Sequence, residues 1–243
     1  MIELKITKEV TISRRAMKLQ AVRHLMSSMN RWLYKIKNPN RGSKKTLLAY
    51  SVPGWFSQEE CEKLYDLTLL TRGSILEIGH FLGRSTASIA EALKISEDNR
   101  TFTSYDLGFV SEEDFHGFFD KVHKKDVPVP KLAKKIYAQG KTSTELAKRN
   151  LENLGLDTYV KLVSGNFIDL DNVTYDFIFC DAIHETNEIT LNLPHIMRRS
   201  VKNCIWAFHD MSDANINIIL EQSNSLFIER VDRLGLFLYL GEK

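Results

Sequence analysis

Cysteine is scarce in this chain: Cys61, Cys180 and Cys204 are the only three in 243 residues, and they lie far apart without the short spacing of a metal clamp. Cys180 and Cys204 fall inside apolar strand-like runs, where a buried reduced thiol is expected. No uncharged apolar run reaches roughly 18 residues, which excludes a membrane-spanning helix. An apolar core followed by a small-residue cleavage site is missing from the N-terminus, so the chain reads as cytoplasmic. The third glycine of a dinucleotide-type G-x-G-x-x-G is missing too, which counts against a nicotinamide dehydrogenase. What is present is ordinary for a soluble α/β domain with a decoration: 43% hydrophobic and 26% charged residues.

Charge is unevenly distributed. The first fifty residues hold twelve Lys/Arg against Glu3 and Glu9, a net +10, which leaves −8 for the rest of a chain whose total is +2. Within this arm Met17, Val22, Leu25, Met29, Leu33 and Ile36 recur at helical steps, and most of its basic residues fall elsewhere. Such a helix can dock on the acidic body or on a second subunit, or lie on an anionic membrane or nucleic acid. The boundary is placed at 50, with a linker at 38–45.

From Ser57 the pattern becomes regular. Ser57 with Glu60 has the form of a capping box and opens a helix through about Leu70. ILEIG reads as a first strand, GRSTASIAEAL as a crossover helix, and TFTSYD as a second strand. Thr142 with Glu145 is a second capping box, and Gly155 is the stop signal of its helix. YVKLVSG, DFIFCDA and NCIWAFHD supply three further near-continuous apolar runs, as expected of parallel strands buried on both faces. A helix over 185–199 separates the last two, and another starts near Ser212. SLFIERV and GLFLYLG, parted by a short DRL turn, form an antiparallel hairpin. The order implies a doubly wound sheet with a reversed strand near its end. One connection, 107–141, is too long for a simple loop. It carries Phe109, Phe115, Phe118 and Phe119 and a VPVP run, and reads as a lid, a satellite core, or both.

ILEIGHFLGRST (75–86) turns from strand to helix on Gly79 and Gly83, which permit a tight turn and a close ligand. Ser85 is the expected cap of the following helix. An acid at the strand's end, Glu77, disfavours a pyrophosphate and favours a ligand with positive charge or several donors. Asp181 and Asp210 end the fourth and fifth strands, about 4.8 Å apart in a parallel sheet. Two unpaired carboxylates there would repel, a conflict that a hard divalent cation such as Mg²⁺ removes. His184, three residues beyond Asp181, is a candidate base, since histidine as a residue type titrates near neutral pH.

LEIGHFLGRST resembles the first motif of class I S-adenosylmethionine-dependent methyltransferases, and PGWFSQEE is similar to the lead-in of one branch. DFIFCDAIHE and IWAFHDM resemble the family's fourth- and fifth-strand motifs. The resemblance covers about 52–242 and implies an α/β, Rossmann-like doubly wound seven-stranded sheet in the order 3-2-1-4-5-7-6, the last strand antiparallel. It implies that Gly79, His80, Gly83 and Ser85 surround the methionine end of S-adenosylmethionine, with Glu77 near its ammonium group. Asp106 would take the two ribose hydroxyls, and Ser164, Gly165 and Asn166 would lie on the adenine side, with Asp181 also at the cofactor. Metal-dependent catechol- and macrocin-type O-methyltransferases place acidic ligands where Asp181, His209 and Asp210 stand. His209 departs from their usual Asp-Asn or Glu-Asp pair and serves as ligand, base or partner of Asp210. The function so implied is O-methylation of a small-molecule acceptor, with or without Mg²⁺. The alternatives are other chemistry on the same fold, as in cephalosporin-hydroxylase-like proteins, or a nucleic-acid or membrane protein acting through the basic arm.

Overall fold

The computed structural model describes residues 47–123, 128–170 and 173–242. The basic helix expected over 16–36 and the linker at 38–45 lie outside the described residues. Packing of the domain already includes Leu47 and Ala49, both buried, and the Leu48 amide donates to Glu91 Oε2 at 2.8 Å.

Helix α1 (Gln58–Leu70) opens with the expected capping box: the Ser57 hydroxyl takes the Glu60 amide and the Glu60 carboxylate takes the Ser57 amide. Strand β1 (Ile75–Ile78) is buried at every residue, because it lies between β2 (Phe102–Asp106) and β4 (Tyr175–Cys180). Helix α2 (Arg84–Ile95) crosses from β1 to β2. The insert then forms α3 (Glu112–His123) and α4 (Lys131–Tyr137), before α5 (Ser143–Leu154) begins on the Thr142–Glu145 box and ends on left-handed Gly155. Strand β3 (Lys161–Ser164), β4, helix α6 (Thr186–Arg198), strand β5 (Ser200–Phe208) and helix α7 (Asp213–Gln222) complete the alternation. Strands β6 (Ser225–Val231) and β7 (Leu234–Tyr239) close the chain as a hairpin.

The seven strands run in the order β3-β2-β1-β4-β5-β7-β6. The first five are parallel, and β7 is antiparallel to both its neighbours, as the hairpin required. The β6–β7 turn is only Asp232-Arg233, with Asp232 in the left-handed region (φ 53) that a two-residue hairpin demands. On one sheet face Trp206 stacks on Tyr239 at 4.6 Å between ring centres, and Ile189, Leu193 and Ile219 of α6 and α7 cover that face. All three cysteines are buried and unpaired. Among the described residues no helix is long and apolar enough to cross a membrane.

The insert is not a free loop. Phe115, Val129 and Ala133 form a small core of their own, with Phe109 and Tyr137 packed against it. Burying these rings against each other removes them from water without drawing on the main core. A cleft of about 470 Å³ opens beside α3, lined by Leu107, Phe109, Glu113, Asp114 and Phe118 among others.

Candidate functional site

The carboxyl ends of β1, β2, β4 and β5 all point to one edge of the sheet, where ligands of doubly wound folds bind. After Ile78 the chain turns through Gly79 (φ 90), Phe81 (φ 44) and Gly83 (φ 87). A Cβ at Gly79 would sit 2.7 Å from the Asp181 carbonyl, so only glycine lets this loop pass the end of β4. The expected cap at Ser85 is corrected: left-handed Gly83 is the N-cap of α2 and brings no side-chain cap. Ser85 instead turns inward, its hydroxyl donating to Glu77 Oε1 at 2.6 Å.

Glu77 is wholly buried. Its Oε2 accepts from Thr86 at 2.6 Å and from Ser104 at 2.5 Å. Burial lifts its carboxyl to about 7, against the pull of the three hydroxyls, and the nearby Asp181 charge adds to the rise. His80 lies beside it, also buried, with Nδ1 3.0 Å from Ser104 Oγ and Nε2 3.1 Å from Thr144 Oγ1. A hydroxyl has one proton. Ser104 spends its own on Glu77, so His80 Nδ1 is the donor to Ser104 and Nε2 accepts from Thr144. Thr144 in turn accepts from Ser164 at 2.9 Å. Burial holds His80 below its ordinary value, which agrees with this neutral tautomer.

Asp106 stands at the end of β2. Its Oδ2 accepts the Phe81 amide, and its Oδ1 accepts the Gly108 amide and the Ser143 hydroxyl, each at 2.8 Å. Ser164 is exposed. Gly165 donates its amide to the Asp106 carbonyl at 2.8 Å, and Asn166 caps a short turn through Ile168. Trp55, 54% exposed, stacks on Phe81 at 4.7 Å and so borders the loop.

Beyond β4 and β5 lies a charged cluster. The register pairs Cys180 with Phe208, which puts His209, not Asp210, opposite Asp181. His209 Nδ1 is 2.7 Å from Asp181 Oδ1 and Nε2 is 3.2 Å from Glu60 Oε1, the latter contact too poorly angled for a full hydrogen bond. Burial opposes charge on His209, but Asp181 and Glu60 outweigh it and raise the imidazole to about 9. Burial would raise Glu60 too, yet His209 and the Ser57 and Arg233 amides hold its carboxyl below the usual range. Asp210, in a left-handed turn (φ 55), accepts from Arg233 at 2.8 Å and stands 3.5 Å from His184 Nδ1. The carboxylate repulsion expected here is therefore met by two protein cations, His209 and Arg233.

One ligand atom from each of Asp181, His184 and Asp210 falls within a 4.8 Å span, a grouping open to a metal ion. The structure thus groups His184 with the two acids, while both ring nitrogens of His209 face Asp181 and Glu60. Sequence reading missed Ser104, Ser143, Thr144 and Arg233, and took Glu60 for a capping acid alone. Thr144 and Ser143 follow a cap that was legible, but Arg233 sits in a hairpin turn that carried no signal.

Residues 76–211 match the family described as a methyltransferase domain, over half of the chain. No curated protein sequence matches significantly. Among solved structures, an S-adenosylmethionine-dependent O-methyltransferase from Thermotoga maritima is similar at 14% identity and TM-score 0.51, over 87% of this chain and 72% of that one. The O-methyltransferase TomG from Streptomyces achromogenes, solved with S-adenosylmethionine, is similar at 18% identity and TM-score 0.50, over 86% and 90%. A methyltransferase from Geobacter sulfurreducens has 17% identity and TM-score 0.50, over 76% and 80%. At such identities the structures speak for the fold. The chain belongs to the methyltransferase-domain family and is a class I S-adenosylmethionine-dependent methyltransferase.

Proposed function

We propose that this methyltransferase transfers the methyl group to an oxygen of a small-molecule acceptor, with His184 as the base. The observation that carries the reading is the shared wall between loop and base: the Asp181 carbonyl lies against Gly79, and His184 follows three residues on, 42% exposed and backed by Asp210. A methyl donor seated on the 79–83 loop would stand beside an acceptor hydroxyl at His184.

The other roles follow from placement. Asp106 would hold the ribose, and Leu107 with the cleft beside α3 would hold the adenine on the side of Ser164–Asn166. Gly79, His80 and Gly83 would hold the methionine end, whose carboxylate suits the uncapped first turn of α2. Glu77, with no exposed surface, would act from beneath through Ser85, Thr86 and Ser104. The insert would serve as a lid, and Trp55 as an apolar wall for the acceptor. The reaction is an in-line displacement at the sulfonium methyl. The chain needs to align the acceptor oxygen, take its proton on His184 and exclude water; no covalent protein nucleophile is required.

A second reading rests on the Asp181–His184–Asp210 grouping. Two carboxylates and an imidazole fit a divalent cation, though the imidazole suits Mn²⁺ or Zn²⁺ better than Mg²⁺. When bound there, such an ion would polarise the acceptor oxygen and favour vicinal oxygens.

Labelled S-adenosylmethionine offered with catechols, phenols and sugars tests both readings. The base reading expects transfer to oxygen that survives a chelator, and a loss of about a hundredfold or more in His184→Ala with S-adenosylhomocysteine still bound. Chelator-sensitive transfer restored by Mn²⁺ or Mg²⁺ would favour the metal, and transfer only to nitrogen or carbon would overturn the oxygen assignment.

A further inference from the structure

An ionised carboxylate offers about four lone-pair positions, and three of the four on Asp106 are already taken within the chain. The Phe81 amide holds Oδ2, while the Gly108 amide and the Ser143 hydroxyl hold Oδ1. The two amides are fixed by backbone. Phe81 is held in a left-handed conformation (φ 44), and Gly108 (φ 65) turns so tightly that a Cβ there would lie 2.9 Å from Ser164 Oγ.

The third donor is a side chain, carried on a stretch of backbone that is itself held in place. Ser143 is buried at 7% exposure in the first turn of α5. The capping box at Thr142–Glu145 sets the start of that helix. The next residue, Thr144, is tied to His80 on one side and Ser164 on the other. The backbone that carries Ser143 is therefore held by the cap and by the Thr144 contacts, and from it the hydroxyl reaches Asp106 Oδ1 at 2.8 Å.

We propose that Ser143 is a specificity-determining residue for the cofactor's ribose: by occupying Oδ1 it leaves Asp106 a single acceptor position, on Oδ2. One of the two ribose hydroxyls is then read strongly and its neighbour weakly. This rests on the assignment of Asp106 to the ribose made above. A hydrogen bond to a charged acceptor is worth more than one between neutral groups, so the difference between the hydroxyls is large enough to measure.

Calorimetric titration with S-adenosylhomocysteine and its 2′-deoxy and 3′-deoxy analogues reads this in the wild-type protein without any substitution. The expected result is that one deoxy analogue binds about 10- to 100-fold more weakly than the parent, the range for a hydrogen bond to a charged group, and the other within about threefold. Equal losses for both would overturn the proposal. Failure of S-adenosylhomocysteine itself to bind would overturn the cofactor assignment and this inference with it, whereas binding with equal losses overturns this inference alone.

The variants sharpen the reading. Ser143→Ala frees a position on Oδ1, so the second hydroxyl gains a partner and both deoxy analogues are penalised. Ser143→Thr keeps the hydroxyl and retains the wild-type asymmetry. A Ser143→Ala protein that is folded by circular dichroism and shows the wild-type pattern would also overturn the proposal, since a purely structural serine would leave the ratio of the two analogues unmoved.

Discussion

Two buried residues near the sheet edge carry charge that burial opposes, and both tie stability to pH in the same direction. The Glu77 carboxyl is raised to about 7 in the folded chain. Its contribution is fully present below the ordinary carboxylate range and is lost as pH rises through 7. The His209 imidazole is raised to about 9, so its contribution is present below the ordinary histidine range and is lost as pH rises through 9. Unfolding free energy from urea titrations in chelator should therefore fall between pH 5 and 9, by on the order of 2 kcal/mol from each group. Glu77→Gln should flatten the lower half of that fall and His209→Gln the upper half. A wild-type stability that rises over this span would contradict the assignment. At this scale the sequence was legible in placement: Glu77 lies in β1, Gly79 and Gly83 shape the turn after it, and Asp106 ends β2. It was opaque where a role needs a register. Only the pairing of Cys180 with Phe208 puts His209 opposite Asp181, and only the closure of the hairpin brings Arg233 to Asp210.

The elements of the chain were legible wherever a cap or a period marks them. Both capping boxes form as the residues at Ser57–Glu60 and Thr142–Glu145 imply, and the buried strands follow their apolar runs. The start of α2 was the exception. A serine near a helix start usually caps it, but here left-handed Gly83 takes the cap and Ser85 serves Glu77. The insert could be read as too apolar for solvent, yet its pairing of α3 with α4 depends on contacts between residues 14 or more apart, which periodicity does not reveal. The two boxes differ in what hangs on them. Ser57→Ala and Thr142→Ala should each cost about 1 kcal/mol, a fall in Tm of roughly 2–4 °C for a domain of this size. Thr142→Ala alone should also weaken S-adenosylhomocysteine, because the first turn of α5 carries Ser143 and Thr144 to Asp106 and His80. Equal effects of the two variants on that affinity would contradict this division.

The described residues form a mixed sheet, parallel over its first five strands, whose order reverses beside β1, so that one edge gathers a glycine loop, a carboxylate on β2 and a charged cluster beyond β4 and β5. The hairpin is more than an end-piece, since its Asp232-Arg233 turn reaches both Asp210 and the Trp55 carbonyl. A doubly wound sheet with a reversed strand near its end could be inferred from the run of elements, because short connections and right-handed crossovers leave few arrangements, whereas the strand order itself came from the resemblance to class I methyltransferases. The identity of the acceptor could not be inferred, since under the roles proposed above it depends on the space beside Trp55 and His184. The 79–83 loop and Asp106 are proposed to hold the cofactor together, and isothermal titration of the protein with S-adenosylhomocysteine is the decisive measurement. Saturable binding at one site per chain is expected, weakened about tenfold or more in Asp106→Ala. No binding by the wild-type chain, or equal affinity in the variant, would contradict it.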